Sequence, residues 1–238
     1  MLLLLAATPL ETAQLRNQLQ HPAISKFAGY NLYSGRLGSQ QITLAHGGVG
    51  QVVMTMQLTR LLERLNFSAV LLFGCGGAYP QSKLKIGDLV LASAEIFGDL
   101  GVATDEGFTP LEQLDIPLRE GFAPLCRQEF PLAEPLRHWA CQILPEARCG
   151  IFVTVNCCSG TRQLSDQLAR HTGGICENME GAAVAQVCAE FNLPLLEMRG
   201  ISNPTGSRVP ADWDIKLGSE VAQQAVRRLL EHPLPEGL

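Results

Sequence analysis

Short apolar runs of strand length recur along the chain, at residues 2–6, 41–46, 69–75, 88–92, 151–156 and 195–201. Several are apolar with almost no alternation, the pattern of strands covered on both faces in a parallel or mixed sheet. Between them, apolar positions take helical spacing over residues 11–19, 51–65, 180–191 and 216–230. Strand followed by helix, repeated, predicts an α/β fold with a central mixed, twisted sheet and helices on both of its faces. No repeat period and no low-complexity linker divides it, so residues 1–238 are expected to form one domain. The least regular stretch, residues 98–134, carries Pro110, Pro117, Pro124 and Pro131 and reads as an insertion that covers a site or an interface.

The helix at 51–65 is apolar nearly all round in its first two turns, with Val52, Val53, Met54, Met56 and Leu58. More than one of its sides must be covered, either within the core of a monomer or between the sheet and a second subunit. The N-terminal Met1-Leu2-Leu3-Leu4-Leu5-Ala6-Ala7 lacks a basic flank and ends at Thr8-Pro9, too short for a secretory signal or a membrane span. It is expected to be a buried first strand, and the protein to be cytoplasmic with no membrane partner.

Composition narrows the function. Hydrophobic residues make up 46% of the chain and charged ones 17%, which excludes disorder. The net charge of −5, without a basic block, argues against a nucleic-acid partner. Eight cysteines in a chain of 238 residues are expected to be reduced thiols rather than a disulfide scaffold. They contain no Cys-x-x-Cys, so no metal site is expected.

Two glycine clusters follow strands, Gly47-Gly48-Val49-Gly50 and Gly74-Cys75-Gly76-Gly77. Glycine lets backbone approach a ligand at the carboxyl ends of strands, or simply makes a tight turn. Neither cluster completes Gly-x-Gly-x-x-Gly and no Gly-x4-Gly-Lys-Ser/Thr loop occurs, so no cofactor is implied. The segment with most chemistry is Glu177-Asn178-Met179-Glu180-Gly181-Ala182-Ala183, followed by Glu197-Met198-Arg199-Gly200-Ile201-Ser202-Asn203. Glu180 at the mouth of a small-residue helix is either a functional carboxylate or a helix-dipole carboxylate paired with Arg199.

Those two segments resemble the signature of the nucleoside phosphorylase/nucleosidase superfamily. The resemblance extends through Ala7-Thr8-Pro9-Leu10-Glu11, Gly48-Val49-Gly50, residues 74–78 and Leu84-Lys85-Ile86-Gly87-Asp88. Within it, Gly77-Ala78-Tyr79-Pro80, Thr154-Val155-Asn156 and Glu177–Gly181 with Arg199–Asn203 look most like the futalosine hydrolases, whose sister family cleaves methylthioadenosine and S-adenosylhomocysteine. The resemblance implies a nucleoside phosphorylase-like fold, a small nucleoside substrate and assembly as a homodimer or larger homo-oligomer. It also implies that Glu11 takes a proton from water, that Glu180 binds the ribose hydroxyls, and that Arg199 orients that water and Glu180.

Further substrate contacts are implied at Cys75, Gly76, Asn156, Cys158, Ser159, Asn178 and Met179, with Trp213 as an aromatic over the nucleoside. Leu72 stands where the superfamily's phosphorylases carry a phosphate-binding arginine, which implies hydrolysis rather than phosphorolysis. Asn203 stands where adenine-cleaving relatives carry aspartate. Its amide suits a 6-oxopurine, offering NH2 to O6 and its oxygen to a protonated N7. Arg208 is the candidate for a 5′ carboxylate, since a guanidinium binds one bidentately. Competing expectations are methylthioadenosine/S-adenosylhomocysteine or aminofutalosine nucleosidase, a purine nucleoside phosphorylase, and a non-catalytic nucleoside binder.

Overall fold

The computed structural model describes residues 1–105, 107–114 and 129–235; Pro117 and Pro124 of the proline-punctuated stretch lie outside the described residues. The strands are β1 (Leu2–Ala6), β2 (Gln20–Phe27), β3 (Tyr30–Leu37), β4 (Gln40–His46), β5 (Ala69–Ala78) and β6 (Leu89–Phe97), then β7 (Gly101–Thr104), β8 (Gly107–Pro110), β9 (Glu129–Pro131), β10 (Arg148–Thr154), β11 (Cys176–Asn178) and β12 (Leu195–Pro204). The helices are α1 (Ala13–Gln18), α2 (Gln51–Leu62), α3 (Glu134–Ile143), α4 (Arg162–Thr172), α5 (Gly181–Glu190) and α6 (Ile215–Leu230).

Ten strands form one mixed sheet in the order β11-β10-β6-β12-β5-β1-β4-β3-β2, with β9 on β6. β1 runs parallel to both β4 and β5, and β5 parallel to β12. β11 pairs with β10 on one edge and antiparallel to β5 on the other, so that part of the sheet curls back on itself.

The unbroken apolar runs have the cause the sequence suggested. Leu3 and Leu5 of β1 pack in a core with Met54, Leu58, Val184 and Val187 of α2 and α5. Leu2, Leu4 and Ala6 pack on the other face with Leu15, Leu136, Ala222 and Val226 of α1, α3 and α6. A strand alternates its side chains between faces, so an all-leucine strand requires two cores. The N-terminal segment is thus a buried strand. No helix among the described residues is long and apolar enough to cross a membrane.

Several boundaries differ from the periodicity. The helical spacing over 11–19 resolves into a single 3-10 turn, Leu10–Thr12, and the short α1. β2 and β3 form an edge hairpin whose β2 side chains are exposed, so no apolar signal marks it. Its tight turn places Ala28 at φ 48° and Gly29 at φ 90°. α2 buries Met54, Leu58 and Leu61 and leaves Val52, Val53 and Met56 exposed on this single chain.

Candidate active site

The carboxyl ends of β1, β5 and β12 and the start of α5 surround a cavity of about 420 Å³. Glu11, Cys75, Gly76, Cys158, Ser159, Asn178, Met179, Glu180, Arg199, Asn203 and Trp213 line it. Thus eleven sequence-predicted residues from six separated segments meet in one place.

Glu11 sits in the 3-10 turn after β1 and is 4% exposed. Its Oε2 accepts from the Thr8 amide and hydroxyl, both at 2.9 Å, and its Oε1 accepts from the Cys75 amide at 3.1 Å. Gly74 makes that approach possible: a Cβ there would lie 2.3 Å from Glu11 Oε1. The Cys75 thiol also points at Oε1, at 3.6 Å. Burial, then the Glu11 charge, pushes this thiol up to about 12, so it stays protonated and is no nucleophile at neutral pH.

Glu180 occupies the N-cap of α5, yet its side chain does not cap the helix. Asn178 does so instead, its Oδ1 accepting from the Glu180 amide at 2.9 Å and the Gly181 amide at 2.7 Å. That frees the Glu180 carboxylate, which accepts from the Gly50 amide at 3.0 Å and lies 3.4 Å from Arg199 Nη1. Gly50 presents that amide at φ 92°, a conformation open to glycine. Burial raises the Glu180 carboxyl above its ordinary value and Arg199 opposes the rise. Glu180 thus stands at the helix N-terminus without capping it, and its pairing with Arg199 is real.

Arg199 is 2% exposed on β12. Its Nε and Nη2 lie 2.9 Å from Glu197 Oε1, and Nη1 donates to the Cys75 carbonyl at 3.3 Å. Its fork is therefore fully engaged before any ligand arrives.

At the other end, Ser202 and Asn203 both face the cavity because a register shift between Ile201 and Asn203 breaks the strand alternation. Asn203 Oδ1 accepts from the Ser202 hydroxyl at 2.8 Å, and Nδ2 donates to the Pro204 carbonyl at 3.1 Å. One amide hydrogen and one carbonyl lone pair remain for a ligand. Glu177, given no role by the sequence, anchors this wall. It accepts from the Ser159 amide at 2.9 Å, from the Ser159 hydroxyl, and from the Tyr79 hydroxyl at 3.0 Å. Its place in the Glu177–Gly181 segment was the available signal. Thr8, Val49 and Ile215 also join the lining without having been singled out.

Two predicted contacts lie outside the lining. Asn156 is exposed and binds Asp99, its amide donating at 2.6 Å to Oδ2. Arg208 is exposed and stacks over the Trp213 ring at 4.9 Å, while Trp213 Nε1 donates to the Ser207 carbonyl.

Two negative features bear on the reaction. Leu72 is buried in the core, and Arg199 is the sole cationic side chain among the described residues of the lining. A phosphate dianion would find that cation already paired with two carboxylates. Among the described residues no cluster of His, Cys, Asp or Glu has the arrangement to hold a metal ion.

The model of the phosphorylase superfamily matches residues 2–232. A futalosine hydrolase of Thermus thermophilus is 34% identical over 185 residues, which is 77% of this chain and 78% of that protein. A 5′-methylthioadenosine/S-adenosylhomocysteine nucleosidase of Mycobacterium bovis is 30% identical over 242 residues, covering 95% and 94%. The native structure of a futalosine hydrolase from Helicobacter pylori superposes with a TM-score of 0.83 at 21% identity, covering 97% of each chain, a likeness of fold. The chain belongs to the phosphorylase superfamily.

Proposed function

We propose that this chain hydrolyses the N-ribosidic bond of futalosine, releasing hypoxanthine and dehypoxanthine futalosine as a step of menaquinone biosynthesis. N-glycosidic hydrolysis is the reaction class named for both relatives above. The observation that supports the substrate is Asn203 in the lining of the cavity, at the end we assign to the purine. A carboxylic acid there donates to N7 and accepts from a 6-amino group; an amide matches O6 and N7–H of hypoxanthine.

Breaking C1′–N9 leaves positive charge on the ribose, and the bond's electron pair departs with the purine. Glu180 stabilises the sugar cation and holds its hydroxyls. Glu11, fixed by three donors, removes a proton from the attacking water, and the departing purine takes one proton from solvent water at N7, so one proton gained by the leaving group balances the one lost by the nucleophile. Arg199 keeps Glu180 in place, and Met179 packs against the sugar. The exposed Val52, Val53 and Met56, continuous with Val49 at the cavity mouth, form the face on which a second copy closes the 5′ end. Light scattering tests that homo-oligomer.

The longer match to the mycobacterial nucleosidase favours a second reading, cleavage of methylthioadenosine, S-adenosylhomocysteine or aminofutalosine. A non-catalytic binder has no use for a buried Glu11 beside Glu180 and Arg199. Purified protein incubated with futalosine in phosphate-free buffer is expected to release hypoxanthine. A higher kcat/KM for release of adenine from methylthioadenosine, or a requirement for phosphate, would overturn the reading.

A further inference from the structure

Behind the cavity, under the first turn of α5, lie two more carboxyl groups that the chemistry above leaves unused. Glu95 of β6 and Glu197 of β12 are both 0% exposed. They converge on Gly181: a Cβ at that glycine would fall 1.9 Å from Glu95 Oε1 and 2.6 Å from Glu197 Oε2. Glu197 Oε1 is satisfied by Arg199, but Glu197 Oε2 is buried without any hydrogen-bond donor. An ionised carboxylate oxygen stranded in this way beside a second carboxylate carries a heavy desolvation penalty. One proton between the two groups removes the repulsion and supplies the missing donor.

We propose that Glu95 and Glu197 hold a single proton between them beneath Gly181, and that this acid pair is a positioning device for Glu180. Its reach is set by hydrogen bonds. Asn178 Nδ2 donates to Glu95 Oε1 at 2.6 Å, which turns Asn178 Oδ1 toward the Glu180 and Gly181 amides that it caps. Thr154 Oγ1 lies 2.8 Å from Glu95 Oε2 and accepts from the Ala182 amide at 2.7 Å. On the other side Glu197 holds Arg199, which lies against Glu180. Glu180 is therefore gripped through its backbone by one member of the pair and through its carboxylate by the other.

The titratable and charged groups around Glu95 are Glu197 and Arg199 on β12, Cys176 on β11 and Tyr79 after β5. Burial keeps the Cys176 thiol and the Tyr79 phenol protonated, which leaves Glu197 and Arg199 as the charges that Glu95 meets. Burial first, and then the Glu197 charge, holds the Glu95 proton far above the ordinary carboxyl range.

The test is Glu95→Gln, which keeps a neutral donor for Glu197 and an acceptor for Asn178. Above about pH 4.5, the ordinary carboxyl value, native wild-type protein holds a proton that the unfolded chain has lost. The wild-type folded-to-unfolded ratio should then fall about tenfold per pH unit relative to Glu95→Gln. Parallel stability curves from pH 5 to 8 would overturn the proposal. Wild-type protein should also show the infrared carbonyl band of a protonated carboxylic acid at pH 7, retained in Glu180→Gln and missing from Glu95→Gln. If Glu95→Gln does not fold, the wild-type band alone decides, and its absence refutes the pair.

The positioning role rests on the nucleosidase reading and has its own readout. Glu95→Gln should keep kcat within about threefold, whereas Glu95→Ala should lower kcat by about tenfold or more with little change in KM. Equal kcat in both variants would refute positioning. A protein that cleaves no purine nucleoside would sink the functional reading, while the stability and infrared measurements still judge the shared proton.

Discussion

Gly74→Ala is a sharp probe of Glu11 as the base, because it adds one methyl group beside the carboxylate and removes no polar group from the site. The new Cβ would sit 2.3 Å from Glu11 Oε1 and 3.2 Å from Arg199 Nη1, where ordinary contact begins at 3.4 Å. The carboxylate must therefore retreat by about 1 Å, which stretches its 3.1 Å bond from the Cys75 amide beyond hydrogen-bonding range. A misplacement of that size in a reacting group costs about a hundredfold in rate, or about 2.7 kcal/mol of barrier. Initial rates of purine release, followed against nucleoside concentration, should show the loss in kcat with KM changed by less than about threefold. A urea titration beside it checks that the fold survives. A folded variant with wild-type kcat would refute the placement of the attacking water against Glu11.

Asn203→Asp should shift the ratio of kcat/KM from hypoxanthine toward adenine nucleosides by on the order of a hundredfold, since a mispaired polar group is rejected at such a site; parallel assays on both substrates check it. Arg208→Ala tests the 5′ carboxylate assignment. A several-fold rise in KM for futalosine supports it, and an unchanged KM leaves Arg208 as the cation stacked on Trp213. His46, behind Thr12, is lowered to about 4 by burial and, secondarily, by Arg16. Between pH 6.5 and about 4 the unfolded chain binds a proton there that the native state refuses, so stability falls as pH drops through that window. His46→Gln should flatten that part of a Tm-against-pH curve.

The parts of the molecule legible in its sequence are those where one physical constraint acts alone. β1 is readable because burial on both faces leaves only leucine and alanine. β2 and β3 are not, because an exposed edge hairpin needs no apolar stripe and its turn uses Ala28-Gly29 rather than Asn-Gly. α4 was missed for the opposite reason, a helix polar enough that Leu164 and Leu168 do not stand out. At the site, Glu180 and Arg199 are legible as charges at a helix mouth and a strand end, and Glu11 only through the family resemblance. Asn156 and Arg208 lie outside the lining of this cavity, where the Asn156 side-chain amide donates to Asp99 and Arg208 stacks on Trp213, partners that the family resemblance and charge chemistry do not reveal. Glu95 is not legible, and Glu197 shows only as part of the Glu197–Asn203 stretch, because a lone acid inside an apolar run reads as a solvent-facing strand position until the helix above it is known.

The three residues of β11 are hydrogen-bonded on both edges, and they deliver Glu177 to the Ser159 loop and Asn178 to the start of α5. A one-residue slip would exchange those two side chains. The segment from Gly173 to Glu180 is thus intolerant of insertion or deletion. The β2–β3 turn, at an open edge, can absorb length changes without the cavity noticing. In a library of length variants, active members should carry their indels in that hairpin and none between Gly173 and Glu180, so β11 acts as the ruler by which the fold sets the distance between the Ser159 loop and the start of α5.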